Sequence, residues 1–187
     1  MTAQPPQSDS PGLGASALPT LGRAGEEECG DFAIRIARDG TWFYHGSPIG
    51  RKPLVRLFSS VLRRDEAGDF WLITPVEKGR IVVDDAPFTA VELSTDGAGR
   101  DAVLSFRTNI DDWVRAGPDH PIRVAEDPRT GEPRPYIVVR DRLEALILRP
   151  VYYQLAELGA FAEDGSERFG VWSGGMFFSL GRLDRMR

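Results

Sequence analysis

The chain has 187 residues, of which 41% are hydrophobic, and its net charge is −5 at pH 7. This length allows one domain or two small ones, and the apolar content is sufficient for a packed core. The acidic balance argues against DNA binding by the whole surface, because neutralising phosphates needs a basic footprint. A single cysteine, Cys29, cannot form an internal disulfide, and no apolar run could span a bilayer. We therefore expect a cytoplasmic protein.

The first part of the chain is predicted to be a disordered tail followed by a β-rich half. Residues 1–28 are rich in Pro, Gly, Ser and Ala, which cannot bury enough apolar surface to fold. In residues 29–86, alternating apolar residues on both sides of Asp39-Gly40 predict a hairpin. Leu54, Leu57, Phe58, Val61 and Leu62 then share one side of a helix predicted to start near Pro53. The segments 70–74 and 80–84 predict a second hairpin that turns at residues 77–79.

The second part, residues 87–187, is predicted to be an α+β half. Hairpin strands are predicted at 88–94 and 102–107, at 122–125 and 136–139, and at 169–172 and 176–180. Residues 111–113 are predicted to form a short helical connection. Asp141 and Glu144 match a helix capping box, so a helix is predicted over 143–158. Pro150 must either kink that helix or start a new one.

The two halves show the same order of elements. Ile34-Arg-Ile-Ala and Ile122-Arg-Val-Ala match, and each is followed by an acidic turn, a second strand, an arginine, a helix and an aromatic strand. This order predicts a structural duplication. The fold class expected from it is α+β and β-rich, with two related hairpin–helix–hairpin halves and mostly antiparallel sheets.

Several motifs between Gly30 and Gly181 resemble those of a bacterial family known as domain of unknown function 1285. They occupy residues 40–46, 48–51, 54–59, 74–78, 83–88, 120–124, 135–136 and 171–175. The resemblance implies two small β-rich halves with related motifs. It brings no established activity and no catalytic residues, and the role associated with the family is signalling or ligand binding.

The residues that could carry catalysis do not form recognisable constellations. His45 and His120 are the only histidines, and neither has a neighbour at metal-ligand spacing. Ser173 lacks the glycine that precedes the serine of a nucleophile elbow, because Val171 occupies that position. We therefore predict no catalytic residues, no metal site and no cofactor.

Basic residues suggest two possible binding surfaces. No acidic residue interrupts residues 51–64, so this helix could present a basic face to a phosphate-rich partner, or its charges could simply be solvated. Arg51 and Arg140 each end a strand just before a predicted helix, where a helix N-terminus and a guanidinium could hold an anion together. Alternatively, each arginine pairs with a local acid such as Asp84, Asp85 or Asp141.

The function predicted from the sequence is a non-catalytic binding or signalling module for a small, possibly anionic, ligand or for a protein partner. The candidate ligand-binding residues are Trp42, His45, Arg51, Glu77, Lys78, Arg140 and Trp172. One alternative is an enzyme of unrecognised type with Glu77, Lys78 or His45 near the chemistry. Another is a nucleic-acid or membrane-surface adaptor that uses the basic helix. The oligomeric state cannot be derived from these patterns.

Overall fold

The computed structural model describes residues 28–182, with side chains from Gly30 onward. Strands dominate this part of the chain, and its two helices are short. The predicted fold class, β-rich α+β with two similar halves and mostly antiparallel sheets, is confirmed. The predicted disordered tail lies outside the described residues except for Glu28, which instead begins the first strand.

The N-terminal half forms one six-stranded sheet. Its elements are β1 (Glu28–Ile36), β2 (Trp42–Tyr44), β3 (Ser47–Pro48), α1 (Lys52–Ser60), β4 (Leu62–Arg64), β5 (Phe70–Ile73) and β6 (Glu77–Val83). The spatial order is β3-β2-β1-β6-β5-β4, and only the β1–β6 pair is parallel. Asp39-Gly40 makes the predicted turn between β1 and β2, with Gly40 at φ +84°. Ile36, Leu72 and Ile81 point from this sheet into the core.

The C-terminal half contains a second six-stranded sheet and a three-stranded one. Its elements are β7 (Phe88–Asp96), β8 (Val103–Thr108), β9 (Trp113–Arg115), β10 (Ile122–Glu126), β11 (Pro133–Arg140), β12 (Leu143–Ile147), α2 (Arg149–Glu157), β13 (Ala160–Phe161), β14 (Arg168–Ser173) and β15 (Met176–Arg182). The larger sheet has the order β10-β11-β12-β7-β8-β9, and the smaller one β13-β14-β15. Residues from all three sheets share one buried cluster, so both halves contribute to a common core.

The order of elements repeats in the two halves. The unit β1-β2-β3-α1-β4-β5-β6 corresponds to β10-β11-β12-α2-β13-β14-β15. In the first unit β1 pairs with β6, and in the second the equivalent strands β10 and β15 also approach within 8 Å between Cα atoms. However, β10 and β15 belong to separate sheets. The predicted order of elements is therefore repeated, but the second copy lacks the hydrogen-bonded pairing between its first and last strands.

The helix predicted after Pro53 is shorter than expected. It ends at Ser60, and Leu62, predicted on its apolar side, is a fully buried residue of β4 opposite Leu72. Leu57 is 61% exposed, whereas Val55 and Ser59 are buried. The prediction was wrong here because a helix face and a following strand can both place apolar residues three or four positions apart.

The predicted helix over 143–158 is wrong in its first third. Leu143, Ala145 and Ile147 alternate in burial as β12, which is hydrogen-bonded to β11 on one side and to β7 on the other. Glu144 therefore does not cap a helix. Pro150 lies in the first turn of α2, which begins at Arg149, so the prediction that it starts a new helix is the correct alternative.

Two connections also differ from the prediction. Residues 77–79 belong to β6, and the turn lies earlier, where the Thr74 side chain accepts a hydrogen bond from the Glu77 N–H at 3.0 Å. Residues 111–113 do not form a helix. Asp111 lies in a turn at φ +66°, and Trp113 starts β9. The threonine side chain and the left-handed aspartate set these turns locally.

Candidate functional site

The two halves meet along α1, whose basic side chains contact the acidic turn between β8 and β9. The Lys52 ammonium lies 2.7 Å from the Asp111 carboxylate, and the Arg56 guanidinium lies 4.0 Å from Asp112. The bond from Lys52 is the main reason that the pKa of Asp111 is lowered. Two cations in the first part of the predicted basic segment, residues 51–64, are thus paired with acids of the same chain.

Arg140 contacts the C-terminal end of α1, where the two halves also meet. Its guanidinium donates a hydrogen bond to the Ser59 carbonyl at the end of α1 and lies 5.2 Å from the centre of the Phe88 ring. Burial lowers its pKa. β12, not a helix, follows Arg140, so the predicted equivalence with Arg51 is wrong. Arg51 is the N-cap residue of α1 and is exposed, and its guanidinium has no partner among the described residues.

The other candidates lie on separate elements. Trp42 is buried and stacks on Phe58 at 6.3 Å between ring centres. His45 is exposed in the turn after β2, with its ring against Tyr44.

Glu77 and Lys78 begin β6, where the Lys78 ammonium lies 4.7 Å above the Trp71 ring. Trp172 on β14 is covered by Arg100 at 4.6 Å. The seven candidates therefore lie on separate elements and do not form one site.

A groove of about 320 Å³ opens instead in the C-terminal half, and we call it the α2 groove. It is lined by Glu132, Pro133, Arg134, Pro135, Leu146, Ile147, Leu148, Arg149, Tyr152 and Tyr153. The end of β12 and the start of α2 form its apolar walls. A volume of this size is at the lower end of the range for small-molecule sites, which is about 300–1,000 Å³.

The polar groups of the α2 groove are few. Arg149 and Glu132 form an ion pair at 3.2 Å, with their side chains 67% and 61% exposed. Tyr152 is half-buried, and burial raises its pKa. Within residues 28–182 its hydroxyl has no hydrogen-bond partner. The groove therefore combines apolar walls with a free hydroxyl and a cation held only by an exposed pair.

A buried polar network fixes the β11 wall of this groove. The Arg134 guanidinium binds the Asp85 carboxylate and lies 3.3 Å from Asp127, and the Tyr136 hydroxyl donates to Asp85 at 2.8 Å. Burial, reinforced by Asp85, raises the pKa of Tyr136 to about 12. Arg134 and Asp85 are less than 20% exposed, so this network is a rigid support.

Sequence reasoning missed most of this site. The two prolines on either side of Arg134 in Pro133–Arg140 were a signal, because prolines in a strand occur at edges where a ladder is incomplete. Tyr152 and Tyr153 lie in the segment predicted to be helical, and they are not among the seven candidate residues. Within the described part of the chain, no group of three His, Cys, Asp or Glu side chains is placed to hold a metal. No helix there is long and apolar enough to cross a membrane.

Known proteins identify the family of the chain. Residues 23–86 match the family model described as "Domain of unknown function (DUF1285), N-terminal domain", and residues 87–180 match that of the DUF1285 C-terminal domain. No curated protein matches.

Two solved structures are similar to the chain. The crystal structure of a DUF1285 family protein from Silicibacter pomeroyi DSS-3 is 51% identical, with a TM-score of 0.80 and 86% of each chain covered. A DUF1285 family protein from Shewanella baltica OS155 is 25% identical, with a TM-score of 0.53, covering 67% of this chain and 91% of that one. The family models together span most of the sequence, and the chain therefore belongs to the DUF1285 family.

Proposed function

We propose that the protein is a cytoplasmic, non-catalytic binding module whose binding site is the α2 groove and whose ligand joins an apolar body to an acidic group. The observation that carries this proposal is the unpartnered Tyr152 hydroxyl in an apolar groove that also contains Arg149. A phenol hydroxyl at neutral pH donates a hydrogen bond, and a carboxylate accepts it.

The charges of the groove favour an acid over a base. Arg149 is the first residue of α2, so the positive end of the helix dipole adds to its charge. Its pair with Glu132 is exposed, and such pairs contribute only about 0–1 kcal/mol, so a ligand carboxylate can replace Glu132 at small cost. Leu146, Leu148 and the prolines would bury the apolar body.

The alternative functions find less support. An adaptor that uses the basic helix would need Lys52 and Arg56, which are engaged with Asp111 and Asp112. An enzyme with Glu77, Lys78 or His45 near its chemistry would gain support if these residues converged, but Glu77 and Lys78 begin β6 and His45 lies in the turn after β2.

The proposal is tested with 3-phenylpropionate, which has an aromatic body and one carboxylate, and with the neutral 3-phenylpropanamide. We expect the acid to bind and to protect the protein against heat. Arg149→Gln or Tyr152→Phe should weaken its binding by about 3–10-fold, the loss of one hydrogen bond. Arg168→Gln, which removes an exposed paired arginine on β14, is the matched control and should change nothing.

Equal binding of acid and amide would contradict the acidic ligand class. No binding of either compound, together with native mass spectra that show no co-purifying acid or protein, would reject the proposed site.

A further inference from the structure

A second groove, of about 200 Å³, lies at the start of α1 and contains Trp42, Lys52 and Val55. We call it the α1 groove. Its position in the N-terminal half is the same as that of the α2 groove in the C-terminal half. In both, the start of the second strand, the residues just before the helix and the first turn of the helix form the walls.

Strand register establishes the correspondence between the two grooves. In the first unit Ile36 lies opposite Trp42, and in the second Val124 lies opposite Pro135. Ile36 and Val124 are the third residues of the matching Ile-Arg-Ile-Ala and Ile-Arg-Val-Ala segments. Pro135 therefore occupies the place of Trp42.

The helix starts correspond as well. Both helices have nine residues and begin with a cation followed by proline, Lys52-Pro53 in α1 and Arg149-Pro150 in α2. Arg149 thus occupies the place of Lys52. By the same alignment, every residue that lines the α1 groove has a counterpart in the α2 groove except Asn109, which comes from the other half.

Asn109 belongs to a turn that forms one wall of the α1 groove. This turn, residues 108–112, follows β8 and docks against the N-terminal half. The Asn109 amide donates to the Gly40 carbonyl at 3.3 Å, and Asp111 binds Lys52 at 2.7 Å. An acidic turn of the same chain therefore closes one side of the α1 groove and supplies the carboxylate that binds Lys52.

The α2 groove differs in two ways that make it a receptor for a separate molecule. All its lining residues lie between Glu132 and Tyr153, so no turn from the other half enters it. It is also larger, about 320 Å³ against about 200 Å³, and has proline at position 135 where the other copy has Trp42.

We propose that the α2 groove receives an acidic turn of a partner protein, with Arg149 binding its carboxylate as Lys52 binds Asp111. The inference rests on the proposed function and names the acid as an aspartate side chain on a protein. The partner is not a second copy presenting its own turn, because Asn109 and Asp111 are already bound within each chain.

The experiment uses the full-length protein and a cyclic peptide that copies residues 105–115, Ser-Phe-Arg-Thr-Asn-Ile-Asp-Asp-Trp-Val-Arg. Calorimetry measures affinity, and NMR chemical shifts locate the contact. We expect shifts around Arg149 and Tyr152. Arg149→Glu, at a site 67% exposed and so safe for folding, should weaken binding at least 10-fold. Arg168→Glu is the control and should change affinity less than 2-fold.

Charge exchange gives the decisive pair of variants. A peptide carrying Asp111→Lys should not bind the natural protein, and it should bind the Arg149→Glu variant. Binding of 3-phenylpropionate without binding of the peptide would overturn the inference while leaving the proposed function intact. If neither 3-phenylpropionate nor the peptide binds, both the proposed function and the inference are rejected. If the peptide shifts only resonances around the α1 groove, the peptide competes with the internal turn, and the inference is overturned.

Discussion

Asn109 is the only asparagine in the sequence, and replacing it with alanine should loosen the junction between the two halves. Its side-chain oxygen accepts a hydrogen bond from the Thr89 N–H at 3.2 Å, while its amide donates to the Gly40 carbonyl. Thr89 is 1% exposed, so Asn109→Ala leaves a buried N–H without its acceptor.

The expected cost of Asn109→Ala is about 2–3 kcal/mol. An orphaned buried donor costs about 1–3 kcal/mol, and the long bond to Gly40 adds at most about 0.5–1.5 kcal/mol. For a domain of this size, such a loss lowers the melting temperature by roughly 5–10 °C.

Urea unfolding followed by tryptophan fluorescence measures the free energy of unfolding directly. Thr130→Ala is the matched control, because Thr130 is exposed in the turn between β10 and β11 and bonds only a local backbone N–H. Its effect should stay within about 0.5 kcal/mol. An Asn109→Ala variant as stable as this control would show that the turn does not hold the halves together.

Three further changes test other parts of the structure. Ser173→Ala removes bonds between the Ser173 hydroxyl and two buried backbone groups, the Leu104 N–H and the Ala116 carbonyl, and should cost about 2–4 kcal/mol in urea unfolding. Because the pKa of Tyr136 is raised to about 12, its contribution to stability is complete below pH 10 and is lost as the pH rises toward 12, and Tyr136→Phe should remove that alkaline loss. Because the pKa of Asp111 is lowered, its contribution is present above its unfolded pKa and is lost as the pH falls through its folded value. Asp111→Asn should therefore flatten the fall in melting temperature below pH 4, and an unchanged acid profile would contradict the contact with Lys52.

Local chemistry made several elements predictable. Asp39-Gly40 gave a correct hairpin because its glycine takes a positive φ that few other residues adopt. The hairpin predicted from residues 169–172 and 176–180 is also present, and it turns at Gly174-Gly175, which both adopt positive φ. Pro150 marked a true helix start, because proline lacks only an N–H that is unpaired there anyway.

Long-range pairing was not predictable in the same way. Residues 143–147 have helical propensity, yet they form a strand because β11 and β7 bind both of its edges. One of these partner strands, β7, is about 50 residues away in the sequence, so a pattern read over a short segment cannot reveal the pairing. The same limit hid the α2 groove, since Arg134 and Arg149 belong to segments whose approach depends on that strand.

The pairing of β1 with β6 also constrains how the N-terminal half can form during synthesis. β1 is the first strand that the structure describes and lies in the middle of its sheet, while its parallel partner β6 is the last strand of that half. One edge of β1 therefore stays open until Val83 has left the ribosome, after β2, β3 and α1 have already been made. Closure of such a long loop is slow, and an open strand edge invites pairing with other chains. Chaperone demand in the cell should thus peak while residues 37–83 are being translated.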